Sequence, residues 1–176
     1  MAQNMIKTGR MPVDFFTHSY RISGHVDVRR KTLPDILNDP MTGFLQLEDA
    51  YISPIIQPGE ITATYAASSI AKDNLTLALV ATRDEALSRD QSYGSYAGSY
   101  LRKVFLTVPS LEVVGYLRLS ARVDMRRLLT SDTEKFIPVL DGRVQASIRQ
   151  EVVFTGGGVL VNKLHIGAFC LEEEDQ

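Results

Sequence analysis

Tryptophan is missing from this sequence and cysteine occurs once, at Cys170. A single thiol excludes an intramolecular disulfide framework and a thiolate zinc cluster within one chain. Long apolar runs are missing too. None approaches the roughly 18 residues that a membrane helix needs, and the N-terminal MAQNMIKTGRMPVD lacks the apolar centre of a signal peptide. The expectation from these absences is a cytoplasmic chain with no membrane partner. Neither sign of charge dominates, with 19 Lys and Arg against 21 Asp and Glu, so no overall field draws the chain toward polyanions. A nucleic-acid site would have to be a local patch. What is present is 176 residues, 44% of them hydrophobic, enough to bury a core as one domain or two small ones.

The main internal signal is a repeat. Sliding the chain by 91 places VDFFTHSYRISGHVDV, from Val13, on VFLTVPSLEVVGYLRL, from Val104, and pairs Ser19 with Ser110 and Gly24 with Gly115. After a one-residue insertion the offset becomes 92, and Leu37 meets Leu129, Phe44 meets Phe136 and Asp49 meets Asp141. It then returns to 91, where Lys72 meets Lys163. Repeats are tested first because they decide the architecture.

Each copy has the same physical plan. YRISGHVDV and LEVVGYLRL carry apolar residues at the two-residue spacing of a half-buried strand, interrupted by a glycine that suits a bend or bulge. Thr32 and Asp124 follow as matched helix N-caps. Behind them Leu33, Ile36 and Leu37, then Met125, Leu128 and Leu129, give one apolar face on a helix of about two turns. Strands resume with FLQLEDAYI and FIPVLDGRV, then with EITATY and EVVF. TGGGV, before Leu160, reads as a hairpin turn, since consecutive glycines tolerate positive φ.

About five strands and one short helix per copy predict a mainly β protein of two tandem small β-barrels, related by an approximate twofold. The first repeat is read at 11–82 and the second at 102–171. The charged, Ser- and Gly-rich segment 83–101 is read as a linker or mobile loop, and 172–176 as an acidic tail.

At LQLEDA, from Leu45, the sequence resembles the Sm-like family, whose first motif sets a glycine in a strand before an apolar strand ending in a Leu-x-Asp-Ala-like tetrapeptide. Gly24 with LQLEDA is similar to it, and Gly115 with PVLDG more loosely. SIAKDNLTLAL and LVNKLHIGAF resemble the layout of the second motif, with Lys72 and Lys163 near its basic position. The resemblance implies small barrels. It carries RNA chemistry over poorly: Phe44 and Phe136 stand about where Sm-like RNA binders have a base-contacting asparagine, and Lys72-Asp73 and Lys163-Leu164 replace the arginine-glycine pair.

Candidate chemistry is sparse. Arg29, Arg30 and Lys31 precede the first helix, Arg122, Arg126 and Arg127 surround the second, and with Lys72 and Lys163 they could contact an anion or a nucleic acid. A solvated hinge is the favoured reading at this charge balance. Tyr93, Tyr96 and Tyr100 could stack bases, although the composition around them suits a spacer. His18, His25 and His165 show no metal-ligand spacing, Cys170 reads as a small buried apolar residue, and no motif calls for a metal or a cofactor. Asp49 and Asp141 could act as an acid–base pair only if they faced one site. The expected function is non-enzymatic binding or assembly through open strand edges, with a homo-oligomer or protein partner. Nucleic-acid binding and an enzyme of unrecognised type are the alternatives.

Overall fold

The computed structural model describes residues 9–93, 98–120 and 124–173, with the side chains of 92 and 93 excepted. The chain is mainly β. Among the described residues ten strands, β1 (Arg10–Phe16), β2 (Tyr20–Asp27), β3 (Phe44–Pro54), β4 (Ala63–Ala71), β5 (Leu77–Val80), β6 (Ser99–Val108), β7 (Leu111–Ser120), β8 (Phe136–Ala146), β9 (Val153–Asn162) and β10 (Ala168–Leu171), are accompanied by three short α-helices. These are α1 (Leu33–Asn38), α2 (Arg89–Tyr93) and α3 (Met125–Thr130). All strands belong to one open antiparallel sheet in the order β10-β6-β7-β8-β9-β5-β1-β2-β3-β4. Its edges among the described residues are β10 and β4.

The order is the same in each half: fifth, first, second, third, fourth. The ladders match residue by residue at the offsets read from the sequence. Asp14 pairs with Leu79 and Phe105 with Cys170, and Phe44 pairs with Ala71 and Phe136 with Asn162. Register slips at Gly24 in the β2–β3 pair and at Gly115 in the β7–β8 pair. A Cβ at Gly115 would lie 2.7 Å from the Leu140 carbonyl oxygen, so only glycine lets the bulged strands approach this closely. Loop bonds repeat as well. Ile55 N donates to Ser19 O and Ser147 N to Ser110 O, each at 3.0 Å.

The two caps form as expected. Thr32 Oγ1 accepts from Asp35 N at 3.3 Å and donates to the Asp35 carboxylate at 2.7 Å, while an Asp124 oxygen accepts from Arg127 N at 2.8 Å. Their packing differs. Leu33 and Leu37 of α1 are each 1% exposed, whereas Met125 of α3 is 36% exposed and no α3 residue is buried.

Two hydrophobic clusters lie in the sheet, and each is completed by the other half. Phe136 and Leu160 join Val13, Phe15, Leu33, Leu37 and Leu47, while Phe16, Leu77 and Leu79 join Val104, Leu106, Val113 and Val161. Alternating side chains of β1 and β5 therefore feed both clusters.

One expectation fails in a specific way. TGGGV is not a turn but the middle of β9, Val153–Asn162. Residues 80–86 press onto it: Cβ atoms at Gly156, Gly157 and Gly158 would fall 2.4 Å from Val80 O, 2.6 Å from Thr82 Cα and 2.3 Å from Ala86 Cβ. Close backbone approach, not a turn, is what the glycines serve. Within 83–101, Ala86 and Leu87 are buried and Ser99 to Leu101 belong to β6. Glu172 and Glu173 are exposed, and no helix among the described residues is long and apolar enough to cross a membrane.

Candidate functional site: the central junction and two open edges

Arg29 lies against Asp27, its Nη2 2.5 Å from a carboxylate oxygen, and its hydrogen bonds hold the Asp27 carboxyl down to about 2. Lys31 pairs with Asp39 at 2.7 Å. Arg30, Arg126 and Arg127 are exposed, and Arg122 lies outside the described residues.

The two matched lysines serve the two matched helices. Lys72, 4% exposed, donates from Nζ to Ile36 O at 2.5 Å, Asp39 O at 3.2 Å and Thr42 Oγ1 at 2.7 Å. Lys163 Nζ donates to Leu128 O at 3.1 Å and to Ser131 O. Apart from the Thr42 hydroxyl, the acceptors are carbonyls at the C-terminal end of α1 and α3, which lie at the negative end of the helix dipole. Burial lowers the pKa of both lysines. An ammonium already holding two or three acceptors has little left for a phosphate.

Asp49 and Asp141 share a conformation but no site. Both sit in the left-handed region, at φ 51° and 50°, at the point each ladder skips, where aspartate is tolerated better than a branched residue. Arg10 binds Asp49 at 2.6 Å, and Arg83 binds Asp141 and lowers its pKa through that hydrogen bond. Each carboxylate is neutralised in its own half of the sheet. His18 is exposed, and His165 Nε2 contacts Asp73 O at 2.5 Å. His25 Nδ1 is buried without a partner among the described residues. It borders an open cleft of about 370 Å³ with Asp14, Ser23, Asp49 and Thr155. Asp14 there is already engaged by Arg21 and Ser23. No group of three or more His, Cys, Asp or Glu among the described residues could hold a metal ion. Tyr100 is 45% exposed on β6, the Tyr93 side chain and Tyr96 lie outside the described residues, and Cys170 is exposed instead of buried because β10 is an edge strand.

The best-defined surfaces are strand edges. Where the halves meet, β5 pairs with β9 through Leu77↔Val161, Ala78↔Leu160, Leu79↔Val159 and Val80↔Gly158. Every residue of β5 and residues 158–162 of β9 are buried there. Polar contacts flank the ladder: Asn38 Oδ1 accepts from Phe136 N at 2.8 Å, Arg149 donates to Ile56 O at 2.7 Å and Lys135 pairs with Asp73 at 3.6 Å. The outer strands occupy the corresponding places without a neighbouring strand among the described residues. β4 reads ATYAASSIA and β10 reads AFCL, and neither contains a charge or a proline. Folded proteins guard such edges against pairing with just those residues. Spacing alone could have raised this signal, since four uncharged residues at the end of each copy stand in matched positions.

Searches of family models, curated proteins and solved structures return no match to this chain.

Proposed function

We propose that the chain is two tandem Sm-like units in one polypeptide, and that it works as a non-enzymatic binding or assembly protein through its strand edges. The observation that carries this reading is the junction itself. Two halves with the same strand order join by the fifth strand of one and the fourth strand of the other, and the same two kinds of edge remain open at the ends. Matched ladders, glycine bulges, aspartates in the left-handed region and lysine-capped helices support a shared unit. An edge-pairing function needs no nucleophile, base or metal.

Size-exclusion chromatography with light scattering, run with and without an RNA pool across a salt series, tests the proposal. A protein-only species heavier than 19.6 kDa, unchanged by RNA, supports assembly. Co-elution with RNA that weakens steeply with salt favours the nucleic-acid alternative.

A further inference from the structure

We infer that the partner of these edges is a second copy of this chain, added head to tail, with β10 of one copy laid on β4 of the next in the register of the internal β5–β9 ladder. This rests on the reading of two like halves joined by their edges. Transferring the internal pairs by the offset of 91 gives the contact residue by residue. Leu77↔Val161, Ala78↔Leu160 and Leu79↔Val159 become Ala168↔Ile70, Phe169↔Ser69 and Cys170↔Ser68 between copies.

Exposure at matched positions supports the same occupant. Phe136 is 1% exposed because it enters the cluster of the first half beside Leu33 and Leu37, while Phe44, its counterpart on β3, is 60% exposed. The surface that would receive Phe44 is the one left incomplete in the second half: α3 with Met125 at 36% exposure, and half-buried Leu129 and Phe169. The counterparts of the junction residues Ile56 and Asp73 are Ile148 and Leu164, which are 78% and 71% exposed. Apolar side chains thus stand in solvent where the internal junction makes its flanking contacts.

The contact is confined to one end of the ladder. Gly156, Gly157 and Gly158 admit residues 80–86, but β4 carries Tyr65, Ala66 and Ala67 in those places. Pro138 and Leu140 are likewise replaced by Gln46 and Glu48. Pairing therefore holds at Ala168 to Cys170 with Phe44 as its anchor, and the strands diverge beyond Leu171. Because one edge meets a different edge, the interface is heterologous, and copies add in one direction until a ring closes or a filament grows.

The lone cysteine supplies the test. Ser68→Cys places a thiol opposite Cys170 of the neighbouring copy, within disulfide reach for a directly facing pair. Mild oxidation of the full-length S68C protein is expected to give a reducible ladder of dimers and higher species on a denaturing gel. Wild type and A66C, which is displaced by two residues, are expected to give little of it. Phe44→Glu, at an exposed site, should reduce the native mass to 19.6 kDa with an unchanged circular dichroism spectrum and melting temperature. A wild-type monomer overturns the inference. So does an oligomer in which S68C fails to cross-link, or one that links Cys170 to Cys170. In the last two cases edge-mediated assembly survives and only this register falls.

Discussion

Replacing Lys72 with methionine keeps the aliphatic stem and deletes the ammonium that ends α1. Nζ holds Ile36 O, Asp39 O and Thr42 Oγ1 at 2.5, 3.2 and 2.7 Å in a site where the residue is 4% exposed. A hydrogen bond to a charged group contributes about 1.5–3 kcal/mol net, and an acceptor left buried without a partner costs about 1–3 kcal/mol. The three bonds share one charge, and its desolvation offsets part of their sum, so the expected loss is about 3 kcal/mol. Lys163→Met, which frees two carbonyls at a less buried position, should cost about 2 kcal/mol by the same reasoning. Lys31→Met is the control, because an exposed ion pair of the Lys31–Asp39 kind is worth about 0–1 kcal/mol. Urea unfolding at neutral pH reads the three variants, with a lowered midpoint and an unchanged slope. There is also a sign to check with pH. Burial lowers the folded pKa of Lys72 below the ordinary lysine value of 10.5, so the unfolded chain binds that proton more tightly. Stability gains from this group as pH rises from the lowered value toward 10.5, and Lys72→Met removes that gain. A Lys72→Met loss no larger than that of the Lys31 control would refute the capping role.

Three further perturbations test other parts of the fold. The Asp27 carboxyl falls to about 2 from 3.8, chiefly through its hydrogen bond from the Arg29 side chain, so its contribution is complete above 3.8 and disappears as pH drops toward 2. Asp27→Asn should flatten the acid limb of thermal stability, and an unaltered limb would contradict that assignment. Gly156→Ala sets a Cβ 2.4 Å from Val80 O and should cost about 2 kcal/mol as an overpacked contact. A neutral result in thermal melts would show that residues 80–86 lie farther from β9. Thr32→Ala and Asp124→Ala should each cost about 1 kcal/mol through loss of an N-cap, read by chemical denaturation, and a Thr32→Ala protein as stable as wild type would remove that cap from the fold.

Local features were the most legible in the sequence. Thr32 and Asp124 announce their helices because capping depends on a side chain within three residues of its target, and the two-residue spacing around Gly24 and Gly115 announces strands. Lys72 and Lys163 could be paired by position, but their role was not visible. Their acceptors lie some 30 residues upstream, and a lysine that caps a helix has the same spelling as one that binds phosphate. TGGGV misled because glycine runs serve turns and close approaches alike, and the segment that presses on it, residues 80–86, lies about seventy positions earlier. Cys170 was misread for a related reason. AFCL is as apolar as the buried LALV of β5, and only the strand order tells which of the two has a neighbour. The continuous ten-stranded sheet was invisible for the same reason, since β5 meets β9 across more than seventy residues.

Hydrogen exchange on the unmodified protein, followed at the amides of 67–70 and 168–171 that point away from β3 and β6, tests most directly whether the β5–β9 junction is repeated between copies. Repetition predicts protection at those edge amides that approaches that of Leu77–Val80 and weakens on dilution. Exchange at the rate of open loops, at every protein concentration, would contradict it.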